Sequence, residues 1–245
     1  ENIILAAIYA EGVTQITNAA MEPEIVDLAK CLNKMGAKIE GAGTNVIKIT
    51  GVEKLRSISY TVMEDRIEAG TLLCAGAITG GNIILKYRTP EHITPIIHKL
   101  EEAGCQIQIE KGKVHLKADR KLKAVDIKTL PYPGFPTDMQ SVFASTLTTA
   151  KGTSMIIENI FENRYRYIAE LKKMGAKIAI EGKTAVIKGV RRLSGAKVKS
   201  TDLRGGACLV LAGLVARGTT TVTNIEYILR GYENLDEKLR SLGAQ

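Results

Sequence analysis

The sequence predicts an α/β protein assembled from repeated units of about 70 residues, its helices bundled and covered by sheets. Two observations lead there. Four segments end alike, Lys34-Met-Gly-Ala37, Glu102-Ala-Gly-Cys105, Lys173-Met-Gly-Ala176 and Ser241-Leu-Gly-Ala244, and their glycines, Gly36, Gly104, Gly175 and Gly243, stand 68, 71 and 68 residues apart. Each is the second glycine of its unit, and a first one precedes it by about 24 residues: Gly12, Gly80, Gly152 and Gly218. Between these points hydrophobic periods of 3.6 and 2 residues alternate, as layers of helix and sheet require.

Each unit reads the same way. An apolar helical stretch comes first, such as Ser141 to Ala150 or Ala207 to Ala216, and the glycine after it is expected to cap it in the left-handed region. A short alternating strand follows, as in Thr153 to Glu158 and Thr219 to Thr223. Next is an amphipathic helix: Ile25, Leu28, Ala29, Leu32 and Met35 share one face, and so do Ile93, Ile96, Ile97 and Leu100. The second glycine stops it, and two strands form a hairpin: Lys38 to Glu40 with Val46 to Ile49, and Lys177 to Ile180 with Ala185 to Lys188. An acid stands 14 to 16 residues ahead of the first glycine in three units: Asp65, Asp138 and Asp202. In the first unit that position would fall before residue 1, and Gly243-Ala-Gln245 stops where a hairpin would begin, so the chain is expected to be part of a longer protein.

Composition narrows the function classes. The 245 residues are 45% hydrophobic and 24% charged, which is globular, and only 4% aromatic with no Trp, so Ile, Leu, Val and Ala must build the core. The formal charge of +8 suggests an anionic partner. No apolar run reaches the roughly 18 residues of a membrane span, and no membrane partner is expected. Cys31, Cys74, Cys105 and Cys208 form no C-x-x-C pair, and His92, His98 and His115 have no ligand spacing, so no metal and no cofactor is expected. Cys31, Cys74 and Cys208 lie in apolar helical patterns and read as small buried thiols, which fits a reducing, cytoplasmic setting. Phosphate-loop, dinucleotide and nucleophile-elbow motifs are absent. Arg164-Tyr-Arg-Tyr167 mixes bases with aromatics as nucleic-acid binders do, but it is one isolated patch, and no nucleic-acid partner is expected. Arg191-Arg192 and Lys197-Val-Lys199 read as solvated faces.

The richest stretch is Tyr132-Pro-Gly-Phe-Pro-Thr-Asp-Met-Gln140. Thr137 and Gln140 fit a capping box, which puts Asp138 in the first helical turn, where the helix dipole favours an ionised carboxylate. Related helix starts carry Glu64-Asp-Arg66, Thr201-Asp-Leu-Arg204, Met21-Glu-Pro-Glu24, Glu162-Asn-Arg164 and Leu229-Arg-Gly231. If the repeats aim these helix ends at one place, acids, arginines and free N–H groups collect there, as an anionic ligand requires.

Gly134-Phe-Pro-Thr-Asp-Met-Gln140, Ile160-Phe-Glu-Asn-Arg164, Thr201-Asp-Leu-Arg204, Arg230-Gly-Tyr232 and Asn18 to Asp27 resemble the UDP-N-acetylglucosamine enolpyruvyl transferases, in order and across the whole chain. EPSP synthase shares the repeated fold but looks different around Asp138. The resemblance implies an inverted α/β barrel of six units in two domains. Residues 1–62 would be the last unit of an N-terminal domain, and 63–245 a C-terminal domain of three units, the last truncated. It implies transfer of the enolpyruvyl group of phosphoenolpyruvate to the 3-hydroxyl of UDP-N-acetylglucosamine, the first committed step of peptidoglycan synthesis, with phosphate released. Asp138 would take the hydroxyl proton. Ile160 would hold the nucleotide sugar through its backbone. Arg164, Arg204 and Arg230 would line the phosphoenolpyruvate and diphosphate region, and Glu22, Thr137 and Asp202 would join the same cleft. The family's reactive loop cysteine, its Lys-Asn pair and its uracil-binding residues have no counterpart here, so the active site is expected to be incomplete in this chain. The competing reading from the basic charge is a repeat protein that binds anions or nucleic acid without catalysis. The sequence carries no oligomer signal.

Overall fold

The computed structural model describes residues 1–119 and 121–244. They divide into two compact units, Glu1–Glu64 with Pro131–Pro133, and Asp65–Leu130 with Gly134–Gln245. In the smaller unit α1 (Asn2–Ala7) is followed by β1 (Val13–Thr17), α2 (Pro23–Lys34), β2 (Lys38–Glu40) and β3 (Val46–Thr50), with an antiparallel sheet ordered β1-β3-β2. Pro23 opens α2 at a position where no amide is needed. The helix buries Ile25, Ala29 and Leu32, as its period dictates. Asn33 ties it to β2 by donating to the Ile39 carbonyl and accepting from the Ile39 amide, both at 2.8 Å.

The larger unit repeats this plan. It begins with α3 (Arg66–Thr79), β4 (Asn82–Lys86), α4 (Thr94–Glu102), β5 (Gln106–Glu110), β6 (Lys113–Lys117) and β7 (Ile127–Lys128). It continues through α5 (Gln140–Leu147), β8 (Thr153–Ile157), α6 (Tyr167–Lys173), β9 (Lys177–Glu181), β10 (Thr184–Lys188) and β11 (Lys197–Lys199). It closes with α7 (Leu203–Val215), β12 (Thr221–Thr223), α8 (Glu226–Leu229) and α9 (Leu235–Ser241). The sheets run β4-β6-β5, β7-β8-β10-β9 and β11-β12. Strands β7 and β11 each follow one repeat's hairpin and pair in parallel with the first strand of the next, which stitches neighbouring repeats together.

The second glycine of each repeat stops its helix by one device. Gly36, Gly104, Gly175 and Gly243 have φ of 107°, 101°, 88° and 98°, which a side chain would strain. The amide of the following residue turns back five residues along the chain, to a carbonyl in the last turn: Ala37 to Leu32, Cys105 to Leu100, Ala176 to Leu171 and Ala244 to Leu239. The first glycines are less uniform. Gly80 caps α3 directly in the left-handed region, whereas α5 stops at Leu147, before the expected Ala150. The Thr148 hydroxyl donates to the Ser145 carbonyl at 2.6 Å and the chain tightens there, so Gly152 serves the turn into β8 instead. Helix α7 starts earlier than expected, at Leu203.

Helices α3, α5 and α7 pack on one another at the centre of the larger unit, apolar nearly all round, and all eight residues of α5 are buried. Amphipathic α4 and α6 and the sheets cover them. Cys74, Cys105 and Cys208 are buried and free, but Cys31 is only half-buried, because it lies on the flank of α2. Burial pushes the Cys105 thiol up to about 11 and the Cys74 and Cys208 thiols higher still, so these groups stay protonated and inert. Phe143 is fully buried on α5 and meets Phe135 edge to face, centroids 5.0 Å apart. Phe143→Ala is expected to lower unfolding stability by about 3–5 kcal/mol, read from urea denaturation; a loss below about 1 kcal/mol would contradict this packing.

Candidate functional site

The Tyr132 to Gln140 stretch leads into a 3₁₀ turn, Thr137–Met139, and α5 begins only at Gln140. The capping box is not formed. The Thr137 hydroxyl caps nothing and instead donates to Glu158 Oε2 at 2.9 Å, because a buried carboxylate competes for it. The three repeat acids also differ in role. Asp65 Oδ1 accepts the Ile67 and Glu68 amides, and Asp202 Oδ1 accepts the Arg204 and Gly205 amides at 3.0 and 2.8 Å, so both are helix caps. Asp138 caps nothing. Its Oδ1 accepts Arg164 Nη2 at 2.6 Å and its Oδ2 accepts Arg204 Nη2 at 2.9 Å.

Each arginine is itself fixed. Arg164 lies 5.1 Å over the Phe161 ring and also donates to the Thr137 carbonyl at 3.3 Å. Arg204 sits in the first turn of α7, 5.4 Å over the ring of Tyr232, whose hydroxyl is 2.9 Å from Thr71 Oγ1. Helix α7 lies close here because Gly206 has no side chain: a Cβ would stand 2.1 Å from Ser200 Oγ. Arg204 Nε and Nη1 and Arg164 Nε are buried without a hydrogen-bond partner among the described residues. Burial alone would raise the Asp138 pKa, but the charges of Arg204 and Arg164 and their hydrogen bonds outweigh it and hold the carboxyl below its ordinary value.

Asp138, Arg164, Asp202, Arg204 and Arg230 line one cavity of about 550 Å³. Arg230, just after α8, is exposed at its wall. A second cavity of about 380 Å³ is lined by Ile160, which is 45% exposed and whose amide is spent on Glu158 at 2.8 Å. Glu22 belongs to the smaller unit and precedes α2 without capping it by its side chain. In the Arg164 to Tyr167 stretch the rings are not laid out as a stacking platform: Tyr167 is buried, and the Tyr165 hydroxyl lies 2.8 Å from the Ile156 carbonyl and 2.9 Å from that of Lys183. Among the described residues, no group of three or more His, Cys, Asp or Glu is placed to hold a metal ion.

Glu158 and the aromatic supports Phe161 and Tyr232 were not read from sequence as parts of a site. The alternation of β8 carried a signal: Ser154 and Ile156 point inward, and the same period places Glu158 inward too, where it is 4% exposed. Asp202, as a cap, gives a separate expectation. Asp202→Ala should cost about 1 kcal/mol of stability and Asp202→Asn far less, measured by thermal unfolding; equal stability of all three proteins would deny the cap.

A family model described as EPSP synthase (3-phosphoshikimate 1-carboxyvinyltransferase) matches residues 1–239. The chain is 57% identical over its full length to UDP-N-acetylglucosamine 1-carboxyvinyltransferase 1 of Caldanaerobacter subterraneus subsp. tengcongensis, covering 59% of that protein, and 52% identical to UDP-N-acetylglucosamine 1-carboxyvinyltransferase of Myxococcus xanthus, covering 58%. It thus spans under two thirds of the length of the curated relatives it matches. Among solved structures, the enolpyruvyl transferase NikO from Streptomyces tendae superposes with a TM-score of 0.87 at 28% identity over 98% of this chain and 58% of that one. EPSP synthase from Acinetobacter baumannii gives 0.73 at 22% over 99% and 59%, a likeness of fold. The fold is that of the enolpyruvyl transferases, the inverted α/β barrel expected from sequence.

Proposed function

This chain belongs to the EPSP synthase (3-phosphoshikimate 1-carboxyvinyltransferase) family, and we propose that its parent protein transfers the enolpyruvyl group of phosphoenolpyruvate to the 3-hydroxyl of UDP-N-acetylglucosamine, releasing phosphate on the way to peptidoglycan. The observation that carries this reading is one carboxylate held between two arginines beside a cavity, with Arg164 Nε and Arg204 Nε and Nη1 buried and without a hydrogen-bond partner among the described residues. The choice of UDP-N-acetylglucosamine over other acceptors rests on the relatives at 57% and 52% identity.

In this reading Asp138 is the base that takes the sugar hydroxyl proton. It is ionised at neutral pH, and an anion that draws Arg164 or Arg204 away would make it a stronger base. Arg164, Arg204 and Arg230 supply permanent charge for the phosphates. Ile160 offers its carbonyl to the nucleotide sugar. Asp202 lines the same cavity, while Thr137 acts through Glu158. Residues 1–62 would close an N-terminal domain and 63–245 form the C-terminal one. The reactive cysteine would come from sequence outside this chain.

The test is phosphate release by the full-length protein from phosphoenolpyruvate and UDP-N-acetylglucosamine, with calorimetry against the nucleotide sugar and single-stranded RNA. Turnover with no salt-sensitive RNA binding is expected. RNA binding that weakens with salt, without turnover, would replace this reading with the non-catalytic one.

A further inference from the structure

We propose that Glu158 is the positioning residue of this site: its buried carboxylate ties the turn carrying Asp138 to the loop carrying Arg164, and so sets where the base stands against its arginine. The geometry is independent of the transferase reading, on which only the kinetic readout rests.

Glu158 follows β8 and is 4% exposed. Its Oε1 accepts the Thr129 hydroxyl at 2.8 Å and the amides of Ile160 and Phe161 at 2.8 and 3.0 Å. Its Oε2 accepts the Thr137 hydroxyl at 2.9 Å. All four donors are neutral. A buried carboxylate is costly unless such donors are held against it, so its burial enforces the conformation of both segments. The contacts close a circuit. On one side Glu158 holds Thr137, next to Asp138. On the other it holds the Phe161 amide, and the Phe161 ring lies under the Arg164 guanidinium, which returns to Asp138 at 2.6 Å. Asn163, in the same loop, has a φ of 57°, so this stretch keeps an uncommon backbone conformation that needs support. One carboxylate thus fixes both flanks of the Asp138–Arg164 pair; it is not among the residues lining the larger cavity beside that pair, and it borders the second cavity with Ile160. A displacement of about 1 Å in such a pair can cost on the order of 10²-fold in rate.

The role is geometric, so a neutral isostere should serve. In Glu158→Gln the amide oxygen can take the three donors now on Oε1. Its NH₂ can donate to Thr137 Oγ1, whose hydroxyl proton turns away. The experiment is steady-state kinetics of the full-length protein with Glu158→Ala, Glu158→Gln and Thr137→Val, alongside hydrogen exchange at the Ile160 and Phe161 amides. Glu158→Ala should lower kcat by about 100-fold and raise KM for the nucleotide sugar by about tenfold, because the Ile160 loop loosens. Thr137→Val, which cuts only the Asp138 flank, should lower kcat by about tenfold with KM within about threefold. Glu158→Gln should restore both to within about threefold of wild type. Amide protection at residues 160 and 161 should fall in Glu158→Ala and persist in Glu158→Gln.

Kinetics unchanged in Glu158→Ala, or Glu158→Gln as impaired as Glu158→Ala, would overturn the proposal. If Glu158→Ala does not fold, an unchanged kcat in Thr137→Val overturns it. An inactive wild type would defeat the transferase reading instead, and the amide exchange would then decide on Glu158 alone.

Discussion

Replacing Asp138 by Asn in the full-length protein should lower kcat by about 10²–10⁴-fold, the contribution of a general base, while nucleotide-sugar affinity stays within about tenfold. Asn keeps the shape but cannot take a proton. It also leaves Arg164 and Arg204, whose side chains are 10% and 13% exposed, without their counter-charge. Near-normal turnover would remove Asp138 from the chemistry. A pH series adds a second check. The folded pKa of Asp138 lies below its unfolded value of about 3.9, so the stability it contributes is complete above that value and is lost as pH falls through the folded pKa. The stability gap between wild type and Asp138→Asn should therefore be flat from neutral pH down to about pH 5 and narrow below about pH 4. A gap that widens in acid would mean that the arginines do not hold the carboxylate in solution.

Arg204→Lys should raise KM for phosphoenolpyruvate by about 10–100-fold, since a hydrogen bond to a charged group contributes about 1.5–3 kcal/mol. Lysine keeps the charge but loses the planar fork and the stacking on Tyr232. In Arg204 one nitrogen serves Asp138, while Nε and Nη1 are buried without a hydrogen-bond partner among the described residues, so the fork keeps donors that an anion could take. A KM within about twofold of wild type would mean that the fork does not meet the substrate.

Much of the fold was legible because it recurs. The glycines at 36, 104, 175 and 243 each need a positive φ, and that need survives in sequence however the neighbours vary. The hairpins at 38–50 and 177–188 follow the two-residue period directly. Helix ends were less legible. The end of α5 depends on whether Thr148 folds its hydroxyl back onto Ser145, a choice between local hydrogen bonds of similar strength.

Read from local pattern, the site was legible as residue types, and expected roles came only with the family resemblance. Asp65, Asp138 and Asp202 look equivalent along the chain, yet two cap helices and one faces two arginines. Thr137 and Gln140 spell a capping box, yet Thr137 serves Glu158, an acid 21 residues further on.

By itself the sequence determined the α/β repeat, the glycine stops, the inward faces and the set of acids and arginines. These depend on backbone preference and on periods of a few residues, which are local. Only the tertiary structure decided which of the three acids cap helices and which one meets arginines. Asp138 meets Arg164 and Arg204 across 26 and 66 residues, and the hydrogen bonds and charges that separate a cap from an arginine-bound carboxylate act through space and not along the chain.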